Sequence, residues 1–192
     1  MKKYLLPSLR LTFVLLVLLC LIYPLFIMVI GKVTPGGGEG VKVYRNGKVV
    51  GYENIAQAFK NDKYFQPRPS AIGYNAAGSG ASNKGPTNPD YLKSVQAAID
   101  TFMAHNPGVN KADIPAELVT ASGSGLDPDL SPEGATIQIR RIARLRSIPE
   151  QDLIKLVEEH TEKPLLGLFG PSKVNVLKLN IALDEIKKAN YN

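Results

Sequence analysis

The sequence predicts an α+β fold in which a single N-terminal transmembrane helix precedes one mixed α/β domain. Residues 11–30 carry no charged side chain, a pattern typical of a membrane span. Residues 41–192 mix amphipathic helical segments with short β-type segments and irregular connections, which favours an α+β domain. The chain has 192 residues and one cysteine, so its length fits one domain and its composition excludes an intramolecular disulfide or a cysteine-based zinc site.

The positive charge of the chain is concentrated at its start. The formal net charge is +6, and Lys2, Lys3 and Arg10 all precede the first acidic residue, Glu39. Because three of the 23 basic residues lie there, 20 remain against 17 acidic residues. This balance gives the domain only a weak positive field, which argues against nucleic acid as a partner.

Leu11–Ile30 is the predicted membrane span. At 1.5 Å per residue a helix of this length covers about 30 Å, the thickness of the hydrocarbon core. The alternative is a cleaved secretory signal, whose apolar stretch usually has only about 7 to 15 residues and ends at small residues. Ile30-Gly31-Lys32 does not match such a cleavage site, so we favour a retained span, with Pro24 expected to kink its last third.

The basic residues before the span predict its orientation. The positive-inside rule places residues 1–10 in the cytoplasm, residues 11–31 in the membrane, a linker at 32–40 and the domain, residues 41–192, outside the plasma membrane. A single helix cannot enclose a pore, and this one carries no ionisable residue that could relay an ion. If the protein serves transport, another subunit conducts the ion.

Turn residues predict the first elements of the domain. Asn46-Gly47 favours a type I′ turn between strands at 41–44 and 49–52. Asn88-Pro89 is a typical helix start, and Asn106-Pro107 ends the helical pattern that follows it.

The second half of the domain is predicted to contain three more helices and a strand. Ser131-Pro132 resembles the earlier helix start, and residues 150–161 have apolar side chains at helical spacing. Residues 174–176 predict a strand, and Asn180 is expected to cap a last helix that runs to about Lys188.

Two long connections, residues 66–89 and 120–132, are rich in glycine, proline and serine. Connections longer than about 12 to 15 residues are usually functional or disordered. Ser79–Asn83 and Ser122–Gly125 expose backbone amides that could surround an anion, although ordinary turn formation explains the same composition. The sequence lacks a P-loop and a G-x-S-x-G nucleophile motif.

The remaining chemical groups admit several interpretations. His105 and His160 lie at helix ends, where a cap is a commoner role than catalysis or metal binding. Asp127 and Asp129 are as suited to local capping and pairing as to cation binding. An arginine-rich helix face is predicted to be solvated, to dock an acidic partner or to contact lipid headgroups; its residues are Arg140, Arg141, Arg144 and Arg146.

Several ordered stretches resemble the C subunit of the Kdp potassium-transporting ATPase. They run over nearly the whole chain and comprise Tyr64–Ala71, Ser79–Asn83, Gly85–Pro89, Pro115–Pro128 and Gly170–Leu177. The resemblance implies an accessory subunit that joins a channel-like potassium-translocating subunit, a P-type ATPase subunit and a small membrane subunit. The present chain lacks the D-K-T-G phosphorylation motif of the pump and the carbonyl filter that selects potassium.

The resemblance also implies a nucleotide-related loop. In that family a serine-glycine segment has been proposed to assist ATP binding, and it corresponds here to Ser79, Gly80, Ser82 and Asn83. This chain departs from the usual S-G-G-S by Ala81. The expected topology places the loop outside the cell, a bilayer away from cytosolic ATP, so an outer scaffolding role ranks above nucleotide contact.

We therefore expect a non-catalytic accessory subunit of an ATP-driven potassium importer, embedded in membrane lipid. We assign it no catalytic residue and no metal site, and the complex rather than this chain uses ATP and potassium. One alternative is a membrane-anchored hydrolase with Ser79 or Ser124 near His105 or His160. The other is an extracytoplasmic ligand-binding module.

Overall fold

The computed structural model describes residues 2–189, which form two compact units divided between Lys42 and Val43. The first unit consists mainly of one long apolar helix. The second unit contains helices, short strands and long connections, so the mixed α/β character predicted for this part of the chain is confirmed.

The apolar helix is continuous but not uniform. α1 (Lys2–Val17) and α2 (Tyr23–Val33) are joined by a π-helical turn, Leu18–Ile22. In this turn the N–H of Tyr23 donates to the carbonyl of Leu18, five residues back. The wide turn immediately precedes Pro24, which lacks a backbone donor and crowds the turn before it. Lys3–Val33 is long and apolar enough to cross a membrane, and no residue of its most apolar stretch is buried.

The domain begins with the hairpin predicted from Asn46-Gly47. β1 (Lys42–Arg45) and β2 (Lys48–Tyr52) form a two-stranded sheet. Asn46 and Gly47 have φ angles of 50° and 75°, as a type I′ turn requires at both central positions. The hairpin prediction is confirmed.

The helix predicted after Asn88 is α3 (Pro89–His105). The side-chain oxygen of Asn88 accepts hydrogen bonds from the N–H groups of Asp90 and Tyr91, at 3.0 and 3.1 Å. α3 buries Phe102 against the core and leaves most of its surface exposed.

The helix predicted after Ser131 is divided in two. α4 (Pro132–Thr136) starts with the Ser131 hydroxyl accepting from the N–H of Gly134, and α5 (Ile139–Arg146) follows. At the division the N–H of Gln138 bonds to the carbonyl of Ala135, three residues back, so the backbone is locally tighter than an α-helix. α6 (Glu150–Glu159) forms where the apolar spacing predicted it.

β3 (Asp129–Leu130), β4 (Thr161–Glu162) and β5 (Lys173–Asn175) form an antiparallel sheet with β5 in the middle. α7 (Val176–Ala189) follows β5 directly.

The prediction that Asn180 caps the last helix is wrong. Asn175 is the cap, because its side-chain oxygen accepts from the N–H of Lys178 at 3.1 Å. Asn180 lies inside α7, where it is 2% exposed.

The core of the domain lies where α6 packs against α4, α5 and α7, and where α4 and α7 contact β5. Side chains from the connections also enter it, because Phe65 is completely buried. The fully buried apolar side chains are Phe65, Leu130, Ala135, Ile142, Leu153, Val174, Leu179 and Leu183.

Candidate functional site

The two long connections bind to each other. Residues 66–89 and residues 120–132, called the paired loops below, are joined by backbone and serine hydrogen bonds of 2.7–3.2 Å. An ion pair of 2.9 Å between Arg68 and Asp127 reinforces them. The hydrogen bonds run from the Ser70 hydroxyl to the Gly125 carbonyl, from the Gly80 N–H to the Ser124 carbonyl, and from the Ser122 N–H to the Pro69 carbonyl.

A close contact between the paired loops requires glycine at position 125. Gly125 has a φ of 69°, and a Cβ atom there would lie 2.6 Å from Cγ1 of Ile72 and 2.9 Å from the carbonyl oxygen of Gly80. Both distances are shorter than real Cβ contacts. The glycine thus allows the loops to approach closely.

Tyr74 anchors the first of the paired loops. Its hydroxyl donates to the carbonyl of Arg68 at 2.7 Å, and its N–H donates to the Ser70 hydroxyl. Burial raises the pKa of Tyr74 above its ordinary value. The phenol therefore stays protonated and acts as a structural donor.

The structure brings two of the four predicted nucleotide-related residues onto the opposite loop. The Ser79 hydroxyl and the Gly80 N–H both donate to the carbonyl of Ser124, at 3.2 and 2.9 Å. Ser82 and Asn83 are exposed and make no hydrogen bond with their side chains among the described residues. In this arrangement Ser79 and Gly80 hold the two loops together.

The candidate cation-binding aspartates are used for local pairing. Asp127 pairs with Arg68, and its other oxygen accepts the N–H of Asp129 at 3.1 Å. Asp129 pairs with Lys173 at 2.8 Å. Within residues 2–189, no cluster of histidine, cysteine or carboxylate side chains could hold a metal ion.

Neither histidine forms a hydrogen bond with a serine among the described residues. Nδ1 of His105 lies 2.9 Å from the carboxylate of Asp62, and Nδ1 of His160 lies 2.9 Å from the carbonyl of Leu156. Ser79 instead bonds to a backbone carbonyl. The pairing that the hydrolase alternative needs is not formed among these described residues.

Two buried amide side chains hold the extended segment at Phe65 and Gln66 in place. The sequence pattern did not predict this structural role. Asn180 pairs with both backbone polar groups of Phe65 at 2.9 Å. Gln138 accepts from the N–H of Gln66 at 2.8 Å and donates to its carbonyl at 3.1 Å. α7 and the turn between α4 and α5 thus supply the hydrogen bonds that a neighbouring strand would otherwise make. This fixes the start of the paired loops.

Asp184 forms a second unpredicted cluster. Its carboxylate accepts from Arg45 at 2.6 Å, from Arg146 at 2.7 Å and from the Tyr64 hydroxyl at 3.2 Å. The Arg146 guanidinium also lies 4.5 Å from the centre of the Tyr64 ring. Burial alone would raise the pKa of Asp184, but the hydrogen bonds from Arg146 and Arg45 lower it below its ordinary value.

A helical spacing signal could have identified these residues. Asn180 and Asp184 are four positions apart, so they lie on one face of α7, next to the buried Leu179 and Leu183. Polar residues beside an apolar stripe indicate polar groups that have partners inside the domain.

The prediction that the arginine-rich helix face is fully solvated is wrong, because two of its four arginine side chains point into the domain. Arg141 and Arg146 point inward, with side chains 1% and 7% exposed. Arg141 donates to the carbonyl of Tyr64 and to Gln138, at 2.9 and 2.8 Å. Arg140 and Arg144 are exposed.

Leu165–Phe169 forms an exposed apolar turn. Its ends are joined by hydrogen bonds between Leu165 and Phe169, at 2.9 and 3.0 Å. Leu166 and Leu168 are 82% and 81% exposed. A contiguous exposed apolar segment of this kind typically marks a contact with another protein or a membrane.

These features define a class of protein, a small α+β domain attached to one apolar helix, whose serine, glycine and amide groups stabilise its own connecting loops. The family model described as "KdpC: K+-transporting ATPase, c chain" matches residues 5–185. The chain belongs to the KdpC family, so the resemblance inferred from the sequence is confirmed.

Individual relatives match along almost the whole chain. A potassium-transporting ATPase KdpC subunit from Flavobacterium psychrophilum is 52% identical and covers 96% of this chain and 100% of its own length. The subunit from Bacteroides fragilis is 49% identical, with coverage of 96% and 98%. The subunit from Bacillus cereus is 45% identical, with coverage of 95% for both chains.

Proposed function

We propose that this chain is the accessory subunit of a potassium-transporting ATPase complex and carries no catalytic step itself. The observation that carries the proposal is the family match over residues 5–185. The single apolar helix fits the role, because one helix can anchor and contact other subunits but cannot form a pore.

The proposed arrangement follows the charge pattern of the sequence. The N-terminus lies in the cytoplasm, the apolar helix crosses the plasma membrane, and the domain lies outside. Residues 11–31 are the membrane-spanning part and residues 32–40 are the linker. The supporting observations are the helix of Lys3–Val33 and the basic residues at its start.

The partners we propose are a channel-like potassium-translocating subunit, a P-type ATPase subunit and a small membrane subunit. The exposed apolar turn, Leu165–Phe169, supports a protein contact because water-exposed leucines at this density are unfavourable unless another surface covers them. The polar paired loops provide a second docking surface. We propose that the domain stabilises the assembly from outside.

Direct contact of Ser79, Gly80, Ser82 and Asn83 with nucleotide remains a secondary proposal. Two observations weigh against it. The proposed topology separates the loop from cytosolic ATP, and the Gly80 N–H already bonds to Ser124. A loop whose amides are engaged has fewer donors left for phosphate.

Affinity capture tests the assembly role. The full chain, tagged and co-expressed with its potassium-pump subunits, should recover the channel-like and ATPase subunits from detergent extracts. The double variant Leu166→Ser/Phe169→Ser should recover less of both, because it removes apolar contact area from the turn. The matched control is Val49→Ser/Leu92→Ser, two exposed apolar residues elsewhere on the domain, which should recover normal amounts. Recovery of the unmodified chain alone would refute the proposal.

A reporter fusion tests the orientation. Alkaline phosphatase joined after Asn192 is active only outside the cytoplasm, so high activity is expected. An inactive phosphatase fusion, together with an active fusion of a cytoplasmic reporter at the same position, would reverse the proposed topology. The loop of Ser79 would then face the cytoplasm, where ATP is present.

A further inference from the structure

A basic cleft lies between the turn after α3 and the exposed side of α5 and α6. Its volume is about 560 Å³, and its walls include Arg140, Arg141 and Arg144. Glu150 is the one carboxylate among its lining residues within the described part of the chain. The exposed Arg140 and Arg144 set two positive charges against the one carboxylate of Glu150, while the charge of Arg141 is offset by Asp62.

The two exposed arginines of the cleft are not used for structure. Arg140 and Arg144 make no ion pair or side-chain hydrogen bond among the side chains that the structure describes. The end of the Arg140 side chain lies close to Gly108, because a Cβ atom built on Gly108 would lie 2.7 Å from its Nη1 atom. The guanidinium therefore lies directly over the backbone of Gly108, at the wall of the cleft.

The buried arginine of the cleft has unused donors. The Arg141 side chain is 1% exposed, yet its Nε and Nη1 atoms make no hydrogen bond within residues 2–189. The nearest carboxylate oxygen, on Asp62, is 3.7 Å from Nη1, which is too long for a hydrogen bond. Asp62 is also shared with His105. Both atoms are closed to solvent, so they do not reach a ligand in the cleft, and Arg141 contributes only its charge from behind the wall.

The cleft keeps its charge at neutral pH. Burial lowers the pKa of Arg141 to about 10, while the charge of Asp62 acts in the opposite direction. The guanidinium therefore remains protonated near pH 7. The planar donors of the exposed Arg140 and Arg144 match the geometry of a tetrahedral oxyanion, which can accept several hydrogen bonds at once.

We propose that this cleft binds a phosphate-type oxyanion, either free or as the headgroup of an anionic lipid, through Arg140 and Arg144, with the buried charge of Arg141 behind them. The excess of positive charge favours a phosphate group over a single carboxylate, because a phosphate carries more charge and more acceptor oxygens. This site is independent of the paired loops and of the assembly role.

The test is isothermal titration calorimetry, in which inorganic phosphate is added to the full chain in uncharged detergent at low ionic strength. Saturable binding is expected, and sodium chloride at matched ionic strength should give no saturable signal. Arg140→Gln/Arg144→Gln should weaken the binding by about tenfold or more, because it removes two fork-shaped donors. The matched control is Lys93→Gln/Lys163→Gln, which removes the same charge from two exposed lysines elsewhere and should leave the affinity within about twofold.

Both variant pairs change exposed side chains, so their far-ultraviolet circular dichroism should match that of the unmodified chain. Repeating the titration in nanodiscs separates the two sources of phosphate. If a headgroup occupies the cleft, phosphatidylglycerol discs should weaken phosphate binding relative to phosphatidylcholine discs; if free phosphate is the ligand, the two affinities should agree. The proposal is overturned if phosphate gives no saturable binding, or if both variant pairs weaken it equally.

Discussion

Removing the charge of Asp184 should destabilise the domain strongly. The change is Asp184→Asn, which keeps the shape of the side chain but removes the anion between Arg45 and Arg146. Asp184 and Arg146 have side chains only 12% and 7% exposed, whereas Arg45 is 31% exposed. Removing one partner of a buried ion pair costs about 3–5 kcal/mol, because the other charge stays buried without compensation.

The geometry places the expected loss at the lower end of that range. Arg146 keeps a hydrogen bond of 2.6 Å to the carbonyl of Lys63 and its contact with the Tyr64 ring. Arg45 can reach solvent. We therefore expect the free energy of unfolding to fall by about 3 kcal/mol, which for a domain of this size lowers the melting temperature by about 6–12 °C.

Urea and thermal unfolding of the full chain in detergent, followed by circular dichroism, measure this loss. Glu159→Gln is the matched control. It removes a carboxylate that is 58% exposed and 3.8 Å from Lys155, so its effect should stay under about 0.5 kcal/mol. If Asp184→Asn cost no more than this control, the assignment of Asp184 as a buried structural anion would be wrong.

The same structure makes three further predictions. The folded domain lowers the pKa of Asp184 below its ordinary value of 3.8, so the stability that the ionised carboxylate contributes is present above that pH and is lost as the pH falls below it. The stability difference between the unmodified chain and Asp184→Asn should therefore shrink in acid. A difference that does not change with pH would contradict the assignment. Asn180→Leu leaves both buried backbone groups of Phe65 without partners and should cost about 2–4 kcal/mol in urea unfolding, whereas a cost below that of a surface substitution would show that Asn180 is dispensable. Gly125→Ala places a Cβ atom against Ile72 and Gly80 at a left-handed backbone position, so it should lower the free energy of unfolding by about 1–3 kcal/mol and speed proteolysis within the paired loops. The control is Gly123→Ala, whose Cβ atom would meet nothing within 4 Å and which should leave the cleavage rate unchanged.

Local signals in the sequence predicted most of the elements. Asn46-Gly47 and Asn88-Pro89 act through their own backbone geometry, and both gave the expected structure. Asn180 was misassigned because an asparagine can cap a helix or satisfy a distant backbone segment, and its partner Phe65 is 115 residues away. A single sequence gives little information on such a pairing.

The candidate site was likewise predictable only where its features depend on local sequence. The composition of residues 66–89 and 120–132 indicated irregular, backbone-exposing loops, but it could not indicate that the loops bond to each other. Arg141 and Arg146 looked like the solvated face of a helix, because four arginines in seven residues usually point outward. Their inward orientation depends on Gln138 and Asp184.

Two of the hydrogen bonds that join the paired loops connect residues 45 and 55 positions apart. Neither loop can acquire its final shape while the other is unformed, so this face of the domain completes late during folding. It is also expected to open before the helical core does, since its hydrogen bonds lie near solvent. A subunit that docks on both loops at once, as proposed above, would therefore recognise only finished copies of the domain and would leave half-folded ones out of the assembly.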